Sequence, residues 1–143
     1  MIRISKTFRL KDVSSFKIKL LKWSEKSVTS VFLNSNNHKS QINNYEAILA
    51  LDSYSEIPYT RKNSLNKLDD FLKNTQDWVF GYLSYDLKNE LENLESKNID
   101  SFELPNLFFF QPKKIWLVSN SNVEALYLDG NEIDKDWNEI NQI

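Results

Sequence analysis

Two short apolar runs, Lys114 to Val118 and Val123 to Leu128, stand on either side of Ser119-Asn120-Ser121-Asn122. Such a pair around a polar tetrapeptide reads as a β-hairpin. The connection is far too short for a parallel crossover, which takes about a dozen residues or more. The two strands must therefore run antiparallel, and any larger sheet has to be built around them. Upstream, Ile2, Ile4, Phe8 and Leu10 fall on one face of an extended segment, with Lys6 interrupting. Val28 to Leu33 is apolar and rich in β-branched residues, as strands prefer. Tyr45 to Leu51 reads as a third strand, and its unbroken apolar run from Ala47 suits burial on both faces. Asp77 to Tyr85 reads as a fourth strand, crowded with aromatics. Leu104 to Phe110 is extended and bracketed by Pro105 and Pro112.

Helical periods lie between these strands. Asp12 is placed to cap a helix in which Val13, Phe16, Leu20 and Trp23 recur at three- and four-residue spacing. Ser64 begins a second helix, with Leu65, Leu68, Phe71 and Leu72 on one side. Asp86 is expected to cap a short helix carrying Leu87, Leu91 and Leu94. Asp129-Gly130 turns the chain into a last helix near Glu132, with Ile133, Trp137 and Ile140 on one face. Asn34 to Asn44 reads as a polar loop, and Asp52 to Thr60, with Pro58, as irregular. The expected class is α+β, a mostly antiparallel sheet with flanking helices. A chain of 143 residues suits one domain, here 1–143. Ile140 and Ile143 keep the end apolar, whereas a domain more often ends in a polar tail. The expectation is the front part of a longer protein.

Composition removes several function classes. With 18 basic and 20 acidic residues the net charge is -2, so no positive field draws in nucleic acid. Lys17, Lys19 and Lys22 alternate with apolar residues on one helix and read as its solvated face. There is no cysteine, which excludes disulfides and thiolate metal sites. Met1 to Phe8 has no apolar core of a secretion signal. No apolar run approaches the roughly 20 residues that span a bilayer. The expectation is a cytoplasmic protein without membrane or nucleic-acid partners. Only two glycines occur, Gly81 and Gly130, too few for a phosphate-cradling loop.

The side chains that could carry chemistry are sparse. His38 is the one histidine; Ser35 lies near it, but no acid stands beside them to orient a triad. Asp86 and Glu90 are four apart on the expected short helix, followed by Glu92 and Glu95. Two carboxylates at that spacing share a face and could reach a divalent cation; the preferred reading is a helix N-terminus, whose dipole favours acids. Trp78, Phe80 and Tyr82 share a strand face, and an aromatic platform of that kind could stack bases. Its neighbour, Asp86 to Glu95, is acidic, which favours core packing or a buried face between domains. Gly81 lies inside this strand. A strand glycine often marks a bulge or a close approach by another group.

Taken in order, Phe80, Gly81-Tyr82, Tyr85-Asp86-Leu87 and then Glu90 or Glu92, followed by Pro105 and Phe108 to Phe110, make a spaced pattern within Asp77 to Leu94 and beyond. This resembles the N-terminal region of component I of the anthranilate and aminodeoxychorismate synthases. Phe32-Leu33-Asn34-Ser35, followed by Asn44-Tyr45, is similar to the family's tryptophan-site motif. Ser35 matches it, while Asn34 stands where the family has Glu and Asn44 where it has Arg. The resemblance implies a vestigial tryptophan site at Leu33, Asn34, Ser35 and Tyr45, and the two departures tilt the likeness toward the aminodeoxychorismate branch. It also implies the N-terminal portion of a larger αββα-type chorismate-utilising enzyme. In such an enzyme the chorismate and Mg²⁺ sites belong to a C-terminal domain, and ammonia comes from a glutamine amidotransferase subunit. No catalytic residue, metal or cofactor is then expected in this portion, whose partners would be that C-terminal domain and the amidotransferase.

Overall fold

The computed structural model describes residues 2–36, 38, 45–58, 63–92 and 104–143. The chain is α+β, with a mostly antiparallel six-stranded sheet and flanking helices. The strands are β1 (Ile4–Arg9), β2 (Ser30–Asn34), β3 (Ala47–Glu56), β4 (Phe80–Leu83), β5 (Leu107–Val118) and β6 (Asn122–Tyr127). The helices are α1 (Val13–Ser24), α2 (Ser64–Thr75), α3 (Lys88–Glu92) and α4 (Ile133–Gln142). They form two compact units, one of residues 54–111 and one of residues 2–53 with 112–143. Strands β3 and β5 contribute to both.

In the larger unit the strand order is β1-β6-β5-β3-β2. The hairpin expected around Ser119 to Asn122 is present: Val118 faces Val123, and the Ser119 N–H donates to the Asn122 carbonyl at 2.8 Å. Helix α1 starts where Asp12 accepts from the Ser15 N–H at 3.1 Å, satisfying one of the otherwise orphaned first-turn donors. Its Phe16, Leu20 and Trp23 lie on one face at helical spacing and are buried. Helix α4 adds Ile133 and Ile140 to the same core, which they share with Leu49, Leu51, Trp116, Val118, Val123 and Tyr127. Trp137 stacks on Phe8 with ring centroids 4.2 Å apart, and Trp23 meets Trp116 edge-on at 6.2 Å. Such aromatic pairs add about 0.5–1.5 kcal/mol beyond the area they bury.

In the smaller unit β4 runs antiparallel beside β5, with Phe80 opposite Phe110 and Leu83 opposite Leu107. The Ile57 N–H donates to the Phe109 carbonyl at 2.9 Å. Among the described residues, Ile57, Phe80, Leu87, Leu107 and Phe110 are its buried apolar side chains.

Several boundaries differ from the sequence reading. Strand β2 begins at Ser30, and Val28 is fully exposed. Strand β3 does not stop at Leu51. It continues to Glu56, although Asp52 takes a left-handed backbone (φ 59°), a conformation that side chains seldom favour. Asp52 is held there by its N–H on the Thr29 carbonyl (3.0 Å) and its carboxylate on the Ser27 hydroxyl (2.7 Å). Pro112 does not end the strand before the hairpin, and β5 runs through it. Its carbonyl accepts from the Arg3 guanidinium at 2.7 Å. The aromatic strand is shorter than expected, Phe80–Leu83 instead of Asp77 to Tyr85. Ser84, not Asp86, starts the following 3-10 turn (Tyr85–Leu87), accepting from the Asp86 N–H at 3.2 Å. A Ser hydroxyl competes well for that position because it reaches its own neighbouring N–H groups. Leu94 and most of the Asn34 to Asn44 segment lie outside the described residues.

Candidate functional site

Two places were singled out by their residues, one in each unit. In the smaller unit, Gly81 stands directly opposite Phe109 on β5. A Cβ built on Gly81 would lie 1.9 Å from the Phe108 carbonyl oxygen and 2.7 Å from Phe109 Cα. The close approach that a strand glycine signals is therefore real, and the approaching group is the neighbouring strand's backbone. Trp78 and Phe80 stack with centroids 6.0 Å apart, and Tyr82, Phe108 and Phe110 form a second row. Phe80 and Phe110 are buried, whereas Tyr82, Leu83 and Tyr85 are exposed.

Downstream in the same segment, the Glu90 carboxylate receives three hydrogen bonds. Ser64 donates from its N–H (3.0 Å) and its hydroxyl (2.5 Å), and Asn106 donates from Nδ2 (2.8 Å). Ser64 is fully buried and opens α2, whose preceding residue Asn63 is left-handed and makes no side-chain cap. Glu90 thus caps a helix to which it does not belong. Burial pushes its carboxyl up, but the Ser64 hydroxyl, Asn106 and the Ser64 N–H together outweigh burial and hold it below the usual carboxylate range. Three donors on one carboxylate suit a structural anchor better than a cation ligand. Among the described residues no group of three metal-ligating side chains forms. Gln111 is also buried here, taking a hydrogen bond from Ser55 (3.1 Å) and giving one to Asp77 (2.7 Å).

In the larger unit, the motif residues lie at the loop end of the β2–β3 hairpin. Leu33 is half exposed, Asn34 exposed, and Ser35 and Tyr45 partly buried. The Ser35 N–H donates to the Glu46 carbonyl at 3.0 Å, and its hydroxyl reaches the Glu46 carboxylate at 3.5 Å. Ser35 and Tyr45 are therefore brought to the same end of the hairpin. Lys17 of α1 bridges this end, 3.3 Å from Asn34 Oδ1 and 3.8 Å from the Glu46 carboxylate. Asn44 and most of the loop lie outside the described residues. His38 is exposed, and its backbone N–H donates to the Ser35 carbonyl.

The sequence reading missed one cluster of titratable groups. Asp136 of α4 is buried, 2.8 Å from the Lys114 ammonium and 2.9 Å from the Tyr127 hydroxyl. Glu132 completes it, 2.7 Å from Lys114. Burial pushes the Tyr127 phenol well above its ordinary value, and the Asp136 carboxylate adds to this. Burial pulls Lys114 down, but Asp136 and Glu132 more than offset it and leave the ammonium raised. The Trp116 indole N–H favours the phenolate slightly but makes no hydrogen bond of ordinary geometry. The available signal was the helical spacing of Glu132 and Asp136, four apart on one face. It says nothing about which cation they meet. The arrangement locks α4 onto the hairpin, with the Lys114 ammonium held between the Asp136 and Glu132 carboxylates.

No protein-family model matches the chain, and no curated protein is significantly similar to it.

Proposed function

We propose that this chain is the N-terminal, non-catalytic region of component I of an aminodeoxychorismate synthase, an enzyme that aminates chorismate toward p-aminobenzoate and folate. The observation that carries the reading is the segment from Phe80 to Glu92, where three of the residues resembling the family's pattern have a distinct structural task. Gly81 admits the β5 backbone, Leu87 is buried, and Glu90 caps α2. A pattern of ordered tasks along one segment is what a shared fold requires. The α+β class with a mostly antiparallel sheet agrees with the same reading. On this proposal chorismate, Mg²⁺ and the chemistry belong to a C-terminal domain, and a glutamine amidotransferase subunit supplies ammonia. Leu33, Asn34, Ser35 and Tyr45 take the place of the family's tryptophan site.

The test is direct. The coding sequence should continue past Ile143 into a chorismate-binding domain, and the complete protein should form aminodeoxychorismate from chorismate and ammonia. The 143-residue chain alone should not. A coding sequence that stops at Ile143 overturns the reading. Calorimetry with tryptophan tests the ligand part separately: no heat at millimolar concentration removes it.

A further inference from the structure

We infer that the outer edge of β2 is a self-pairing surface, on which a second copy of this chain adds its own β2 in antiparallel register. In the larger unit β1 and β2 end the strand order, so each leaves one edge without a described partner strand. The two edges differ in chemistry. Strand β1 reads Ile-Ser-Lys-Thr-Phe-Arg and carries Lys6 and Arg9, charges of the kind that keep sheet edges from pairing. Strand β2 reads Ser-Val-Phe-Leu-Asn and has no charge, proline or glycine.

The register fixes which groups face outward. Ser35 donates to Glu46 and Asp52 to Thr29, so Thr29, Val31, Leu33 and Ser35 turn their backbone groups toward β3. The alternation of an antiparallel ladder then leaves the N–H and C=O of Ser30, Phe32 and Asn34 on the outer edge. A two-fold axis at Phe32 pairs Phe32 with Phe32 of the second copy, Val31 with Leu33 and Ser30 with Asn34. Every such pair is uncharged, and the two-fold makes the edge complementary to itself.

Helix α1 supplies the second contact. Lys17 reaches Asn34, which places this side of α1 along β2. Leu21, one turn further on, lies on the same side, and it and Ile18 are 47% and 60% exposed. Leu33 on β2 is 50% exposed. Pairing of the strands brings the two α1 helices alongside each other, where Leu21 and Ile18 have apolar partners.

Sedimentation or light scattering across micromolar to millimolar protein reads the outcome. We expect a concentration-dependent dimer, with the Phe32 amide exchanging slowly in the dimer and fast in the monomer. Ser30→Pro removes an outward donor and leaves the β3 ladder intact. Leu21→Glu sets like charges together across the two-fold. Both positions are exposed, and each variant should keep its circular dichroism spectrum and become monomeric. A wild-type chain that stays monomeric throughout overturns the inference, whatever else binds that edge. So does a dimer that survives either variant, or one whose Phe32 amide exchanges as fast as in the monomer.

Discussion

Glu90 accepts both the N–H and the hydroxyl of Ser64, so α2 is capped by a carboxylate 26 residues further along the chain. A helix begins with four N–H groups that have no partner inside it, and a side chain nearby usually serves them. Asn63, in the capping position, is left-handed and makes no such bond. The tertiary fold supplies the cap instead, and Asn106 holds the carboxylate in place.

Replacing Glu90 with Gln should destabilise the chain by about 1 kcal/mol, the usual value of a helix cap. Denaturant unfolding at neutral pH measures it. The pH dependence carries a sign. Glu90 is depressed in the folded state, so its contribution is complete above the ordinary value of 4.5 and is lost as pH falls through the lower folded pKa. Acid titration of Glu90→Gln should therefore show a shallower loss of stability below that value than the wild type does.

Gly81→Val should cost at least about 3 kcal/mol, because the new side chain meets backbone that has nowhere to move. His38→Ala should stay within about 0.5 kcal/mol, since the ring is exposed and its hydrogen bond runs through the backbone. Melting temperatures of the two variants compare them. Equal values would remove the role given to Gly81.

Asp136→Ala should cost about 3 kcal/mol, the order found when one partner of a buried pair is removed. It leaves Lys114 with only the half-exposed Glu132, and the Tyr127 hydroxyl without its acceptor. Tyr127→Phe should cost less, about 1.5 kcal/mol for one charge-assisted hydrogen bond. The alkaline limb separates the two roles. Tyr127 is raised in the folded state, so its contribution is complete below the ordinary value of 10.0 and is lost as pH rises above it. Tyr127→Phe should flatten that limb.

Trp137→Ala should cost about 3 kcal/mol, at the low end for truncating a large aromatic because the ring is only half-buried. The lost stack on Phe8 is part of this. Chemical denaturation followed by the fluorescence of the remaining three tryptophans gives the value; a change under about 1 kcal/mol would mean that the stack contributes little.

Local pattern made most of the larger unit legible. Asp12 as a cap, the face of Phe16, Leu20 and Trp23, and the hairpin around Ser119 to Asn122 all follow from neighbours within a few positions. The same is true of Gly81 as a point of close approach. Period and propensity could not show what approaches it. In Phe108 and Phe109 the approaching group is backbone, brought there by a pairing between distant segments. Pro112 and Asp52 looked like strand ends because each disfavours regular strand geometry in isolation. The Arg3 guanidinium on one and the Thr29 and Ser27 groups on the other hold them within strands. For the motif residues Ser35 and Tyr45, sequence order brought them into one reading, and hairpin pairing placed them at one end. It was the packing of α1 that set Lys17 between Asn34 and Glu46. Sequence by itself determined the elements whose causes lie within a turn or two of chain. Only the tertiary structure decided that Glu90 would cap α2 and Asp136 would meet Lys114 and Tyr127, because a carboxylate's partner depends on which distant donor the fold brings within about 3 Å.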